Sequence, residues 1–464
     1  MVVLGALVPH PPIIVPAVGG NELGKVVKTT ESLARLAGML AEAAPETIII
    51  FTPHGNVFQD CIAVTGIPML EGDLSRFGDD KRWSWPNDLD LAAKIVRKAE
   101  ASGLTAILLD ENHARSYRMQ TTLDHGVLVP LSYLTASLRE VKLTVVGMSF
   151  LPLNDLYSFG RLVAEAAEET GRRVAVIASG DLSHRLTPQA PAGYDPRGRE
   201  FDRTLVELLA NTDIAGIMNI DPVLAEKAGE CGYRTIVMML GCLDGRAVKS
   251  EVLSYEGPFG VGYAVAALWP AGADASRRFG GAIRESSLQE MAERRKNESP
   301  LVVLARETAE AYARGEKPRD KPDLPPEART RAGVFVSIKK HGQLRGCIGT
   351  VSPVRRNVAE EIRANAIAAS AQDPRFEPVE ADELDDLVYS VDVLGPAEPA
   401  AGLEDLDPRR YGVIVRRGGR QGLLLPNLEG IETAEEQVAI ARRKAGIGPG
   451  EEVQLERFEV IRYY

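Results

Sequence analysis

VVLGALVPHPP, residues 2–12, is an apolar run that stops at a proline, a histidine and two further prolines. A short apolar run closed by a breaker predicts a buried β-strand. The same grammar recurs along the chain. TIIIFT at 47–52 runs into Pro53-His54-Gly55, and VAVIA at 174–178 runs into SGDLSH. TAILL at 105–109 and LTVVG at 143–147 are further short runs of strand length and β-branched content. Helical patterns lie between them. Leu33, Leu36, Ala37 and Leu40 fall on one face at i, i+3, i+4, i+7, and Leu91, Ile95, Val96 and Leu162, Val163, Ala166 suggest two more helices. This alternation predicts an α/β domain with a central, mostly parallel sheet and flanking helices. It is placed at residues 1–270, after the strand-like VGYAVAALW.

From residue 271 the composition changes. Residues 271–287 read as a small, polar linker, and 288–464 as a smaller α+β domain. In it, Leu301, Leu304, Ala305, Thr308 and Tyr312 share a helix face. GVFVSIKK and LRGCIGTV form a predicted hairpin around His341-Gly342, and GVIVRRGGRQGLLL a second one turning at Gly418-Gly419. A helix near 357–371 and a strand near 387–394 lie between the two. TAEE at 433–436 has capping-box spacing, and VQLERFEVIRYY closes the chain as a strand.

The 464 residues carry a net charge of −11, which argues against nonspecific nucleic-acid binding. The apolar N-terminal stretch lacks preceding Lys or Arg and is interrupted by His and Pro, so it is not read as a signal peptide. No apolar segment reaches the roughly 18 residues of a membrane span. The four cysteines form no CxxC pair, which fits a reducing cytoplasm. GVGYAVA at 260–266 is not GxGxxG, and no dinucleotide site is inferred.

Of six histidines, five lie in the first 184 residues: His10, His54, His113, His125 and His184. His10, His54 and His184 each follow a predicted strand. In open α/β sheets, ligands bind outside the carboxyl ends of the strands. Parallel strands would therefore gather three imidazoles at one edge. Neutral imidazole is a metal ligand and a base tuned near neutral pH. Two His and one carboxylate on one face of a metal leave open positions, as in non-haem Fe(II) oxygenases. Asp60, Glu111, Asp124, Asp181 and Glu230 are the candidate carboxylates, and spacing does not choose among them. His113, in DENHARSY, is read as structural.

VPHPP at 8–12, TPHG at 52–55, LDHGVLVPL at 123–131, SGDLSH at 179–184 and ECGYRT at 230–235 resemble, in order and spacing, the class III extradiol ring-cleavage dioxygenases and their Memo relatives. The resemblance covers nearly all of residues 1–265. It implies Fe(II), or another divalent metal, held by His10, His54 and Glu230. It also implies His125 in contact with substrate and His184 as acid/base. The implied partners are O2 and a small, catechol-like aromatic substrate. The Memo branch places a cysteine at the third ligand position, and here Glu230 and Cys231 are adjacent. The alternatives are a metal-binding or scaffold protein of the Memo type without ring cleavage, and a metal-assisted hydrolase or protein-modifying enzyme.

In LRGCIGTV, Gly346 and Gly349 flank Cys347, and Arg345 precedes it. An adjacent guanidinium would favour the thiolate, and strand glycines suggest something approaching the backbone. The motif is expected to form an exposed functional surface, with His341 as a candidate base. The bland reading is a buried Cys packed among glycines. LRGCIGT, AQDPRFEPV at 371–379 and LLLPNL at 423–428 resemble the AMMECR family over about residues 288–464. The fusion is similar to members of the AmmeMemoRadiSam set, which implies a radical S-adenosylmethionine protein as partner.

Overall fold

A computed structural model describes residues 1–117, 119–138, 140–318, 324–340, 343–428 and 431–464, without the side chains of 117, 282–288, 290 and 343. The chain forms two compact units, Met1–Ser286 and Ser287–Tyr464.

Among the described residues the first unit holds ten strands: β1 Val2–Val8, β2 Thr47–Thr52, β3 Ile62–Thr65, β4 Met69–Leu74, β5 Asp79–Pro86, β6 Ala106–Leu109, β7 Lys142–Gly147, β8 Val174–Ser179, β9 Arg246–Glu256 and β10 Tyr263–Ala273. Eight of them make one sheet in the order β6-β3-β7-β2-β8-β1-β10-β9. The middle of the sheet is parallel, with β7, β2, β8 and β1 side by side. It becomes antiparallel where β3 meets β7 and where β10 and β9 follow β1, so the sheet as a whole is mixed.

A strand covered on both faces reads as a near-continuous apolar run, and β2 shows this with Ile48 to Phe51 between two buried threonines. All six of its residues are buried. Ile49 and Phe51 enter one core, with Tyr157, Phe159 and Phe201. Ile48 and Ile50 enter the other, with Leu33, Leu36 and Leu40 of the helix Val27–Ala43. Full burial of each such side chain contributes about 1.5–3 kcal/mol. The helices Leu89–Ala101 and Leu153–Glu169 cover the sheet with Leu91, Ile95, Val96, Val163 and Ala166, the faces expected from their spacing. β4 and β5 pair only with each other, as a hairpin outside the main sheet.

Residues 271–287 are mostly ordered into elements. β10 runs to Ala273, a short turn spans Ala275–Arg277, and a helix spans Phe279–Lys296. The helix start is capped from a distance. Asp244 Oδ1 accepts the N–H groups of Phe279 and Gly280 at 2.8 and 3.2 Å. A cap supplied from some 35 residues upstream leaves no local signal.

The second unit is smaller and α+β. Its strands are β11 Val334–Lys340, β12 Gln343–Thr350, β13 Leu387–Leu394, β14 Glu398–Ala400, β15 Tyr411–Arg417, β16 Arg420–Leu424 and β17 Gln454–Tyr463. They pair antiparallel in the order β12-β11-β13-β17-β15-β16, with β14 on β17. The helices Pro300–Ala313 and Val358–Ala371 supply Leu301, Leu304, Ile362 and Ala366 to a core with Val334, Val336 and Val391. Thr433 and Glu436 form the expected capping box of the helix Ala434–Lys444. Among the described residues, no helix is long and apolar enough to cross a membrane.

Candidate metal centre

Register places the site. Val8 of β1 lies opposite Ser179 of β8, and Phe51 of β2 opposite Ala178. The three strands end level, so the residues just beyond them meet at one edge. His10 follows β1, His54 follows β2, and Asp181 and His184 follow β8. A fourth imidazole arrives from a helix. His125 opens the helix His125–Leu134, whose N-cap Asp124 accepts the Gly126 N–H at 2.7 Å.

His10, His54 and His125 each offer a ring nitrogen, and these nitrogens lie within 4.8 Å of one another. The His54 and His125 rings are tilted by 33°, with centroids 4.3 Å apart. His10 Nε2 and His54 Nε2 face each other at 3.0 Å. The hydrogen bonds define the His10 tautomer. The Ser179 hydroxyl has one proton and donates it to the Gly126 carbonyl. Ser179 Oγ, 2.9 Å from His10 Nδ1, therefore accepts from Nδ1–H. That leaves the Nε2 lone pair turned into the cluster. The His10 N–H donates to Asp181 Oδ1 at 3.0 Å.

Burial, reinforced by the neighbouring imidazoles, holds His10 well below the ordinary histidine range. The same causes lower His54 to about 4. Burial also lowers His125 and His184. All four rings are thus neutral near pH 7 and Lewis-basic. The inward-turned His10 lone pair, braced from behind by the Ser179 hydroxyl and surrounded by neutral imidazoles, suits a cation. By donor chemistry, the residues present fit a divalent metal.

Glu230, expected as the third ligand, is not brought to this group. Its Oε2 accepts the Tyr233 N–H at 2.6 Å, at the start of the helix Tyr233–Gly241, and burial raises it to about 7. Cys231 comes closer, with Sγ 3.6 Å from His10 Nε2 and 3.7 Å from His184 Nε2. This approach depends on glycine. A Cβ on Gly180 would stand 2.1 Å from the Gly232 Cα, so the two segments meet only because both positions lack side chains. Burial, with Asp181 nearby, raises the Cys231 thiol well above its usual range. His125, expected to touch substrate, stands inside the cluster, whereas His184 stands beside it. His113 is elsewhere, paired with Asp110 at 2.8 Å. A small cavity of about 30 Å³ opens beside His54, lined by Asn56, Thr65, Gln120, Thr122 and Asp124 among others.

In the second unit, the LRGCIGTV motif lies on β12, at the edge of the sheet. Its glycines answer to packing. A Cβ on Gly346 would stand 2.1 Å from the Ala369 carbonyl oxygen of the covering helix, and one on Gly349 would strike the Phe335 ring at 2.2 Å. The chain's own helix and ring are what approach the backbone there. Arg345 is committed away from the thiol, gripping Glu383 at 3.0 and 2.8 Å and the Glu377 carbonyl at 2.8 Å. The cation beside Cys347 is Arg375, whose Nη2 donates to the Cys347 carbonyl at 3.3 Å and pairs with Asp373 at 2.6 Å. Asp373 in turn accepts the Cys347 N–H at 2.9 Å, and Arg375 holds its carboxyl well below the usual range. Half-buried Cys347 also accepts a bond from the Ser337 hydroxyl at 3.2 Å. His341 lies outside the described residues.

A small alkylating reagent near neutral pH should modify Cys347 in the native chain, as read by peptide mass mapping. Arg375→Ala should slow the reaction, whereas Arg345→Ala should leave it unchanged. Labelling only after denaturation would make the motif purely structural.

A mixed sheet with an imidazole cluster beyond its aligned strand ends, followed by a separate α+β unit, defines the class. A family profile described as the catalytic LigB subunit of aromatic ring-opening dioxygenase matches residues 4–266, and one described as AMMECR1 matches residues 302–463. The chain belongs to the LigB family and carries an AMMECR1 domain behind it. Protein CA_C1420 of Clostridium acetobutylicum is 42% identical over 467 residues, covering 98% of each chain. A protein of Thermotoga maritima is 51% identical over 170 residues, 36% of this chain and 98% of its own. The crystal structure of PH0010 from Pyrococcus horikoshii is 35% identical, covering 35% of this chain and 88% of its own, with a TM-score of 0.33.

Proposed function

We propose that the first unit is an oxidoreductase of the extradiol type. It would act on a small dihydroxy-aromatic substrate with O2, at Fe(II) held by His10 and His54 with His125 as third nitrogen. The observation that carries this reading is the convergence of three neutral imidazoles on one point. Bound there, Fe(II) supplies a Lewis-acidic centre for a catecholate and for O2. The remaining tasks fall to the chain's own groups. Ser179 keeps the His10 Nε2 lone pair directed inward. His184, neutral near pH 7, takes the phenolic proton on binding and returns it later.

A second reading is favoured by Cys231, whose sulfur stands beside His10 and His184. Thiolate is a soft ligand that suits other metals, copper among them. In that reading the unit holds a metal as a Memo-type protein, without ring cleavage, and works with a radical S-adenosylmethionine partner. One experiment separates the two. The full chain, purified anaerobically and loaded with Fe(II), is mixed with a panel of catechols in an oxygen electrode. The first reading expects O2 uptake in proportion to catechol consumed. Stable metal retention without uptake across the panel would overturn it and leave the second.

A further inference from the structure

The β4–β5 hairpin is anchored on one side and open on the other. Leu70 and Leu74 of β4 are buried in a core with Leu123 and Leu128. The Leu123 N–H donates to the Glu71 carbonyl at 2.8 Å, which ties the hairpin to the segment carrying Asp124 and His125. The tip is a short helical turn, Ser75–Phe77, ended by Gly78 at φ 94°, a left-handed conformation suited to glycine. This geometry carries Phe77 back beside His125. Its ring centroid is 5.5 Å from that of His125, tilted by 58°. Yet Phe77 is 43% exposed. A large aromatic held beside a group of neutral imidazoles, with much of its ring still open to water, offers a face that a second ring would cover.

We propose that Phe77 is the aromatic wall of the substrate site and selects for ring-bearing ligands, an inference that rests on the reading of the first unit as a metal centre for small dihydroxy-aromatics. A planar ligand reaching the imidazoles past His125 lies against Phe77, in offset or edge-to-face contact. A ringless bidentate ligand takes the same metal positions without that contact. Phe77 is thus a specificity-determining residue supplied by an element outside the main sheet.

The test compares two probes on the full chain, loaded anaerobically with Fe(II): 4-nitrocatechol, followed by its absorbance, and oxalate, followed by calorimetry. Phe77→Ala should weaken 4-nitrocatechol about tenfold and leave oxalate unchanged, while Phe77→Trp should retain tight 4-nitrocatechol binding. Because Phe77 sits exposed at a hairpin tip, an unaltered melting temperature checks that the alanine variant is folded. Equal binding of 4-nitrocatechol by the alanine variant and the parent would overturn the inference. So would an equal loss for both probes, which would mark Phe77 as a shield for His125. A parent chain that binds oxalate but not 4-nitrocatechol would overturn the aromatic-substrate reading and this inference with it. A chain that holds no iron would overturn the metal centre itself.

Discussion

Alanine at His54 is expected to strip the first unit of its metal. One of the three converging nitrogens is lost, and the two that are left cannot close a facial set. Metal affinity should fall by more than about a hundredfold, since changes even to supporting residues cost 10–100-fold. His10→Ala should do the same. Ser179→Ala probes the support: without the Nδ1–H acceptor the His10 tautomer is no longer fixed, and affinity should fall by about 10–100-fold. Iron content after anaerobic gel filtration reads all three. Full occupancy in both His10→Ala and His54→Ala would refute the site. His125→Ala completes the series. Metal loss makes it the third ligand, whereas retained metal with weakened catechol binding returns it to substrate contact and leaves Cys231, 3.6 Å from His10 Nε2, as a candidate donor.

His184→Ala is expected to separate chemistry from ligation. Its ring is beside the three-nitrogen group, with Nε2 3.7 Å from Cys231 Sγ, and its neutral form can accept a proton near pH 7. Metal content should survive the substitution. Turnover of the best catechol should fall by about 10²–10⁴-fold, the usual cost of a lost general acid or base. Loss of metal would make His184 a ligand. Unchanged turnover would make it a bystander.

The parallel strands and their terminal histidines were legible because β1, β2 and β8 are covered on both faces, which forces unbroken apolar runs that stop where the chain leaves the sheet. Helix faces and the Thr433 cap were legible because their signals are local. What stayed hidden depends on partners distant in sequence. The place of His125 is set by a helix start docked against β2, through the Thr52 hydroxyl on Asp124. The side chains of Glu230 and Cys231 are divided by the helix that follows, which takes the carboxylate as an acceptor and leaves the sulfur to His10. Gly346 and Gly349 looked like openings for a visitor, yet the visitors are the chain's own Ala369 carbonyl and Phe335 ring. Phe77 carries no signal at all, because only the anchoring of β4 brings the hairpin tip to His125.

The central claim is that a metal sits among His10, His54 and His125. Iron K-edge X-ray absorption of the full chain loaded with Fe(II) tests it most directly, alongside the His10→Ala/His54→Ala double variant. The claim predicts a first shell of nitrogen and oxygen with the multiple-scattering signature of at least two imidazoles, absent in the double variant. A shell without imidazole, or an unchanged spectrum in the double variant, would contradict it.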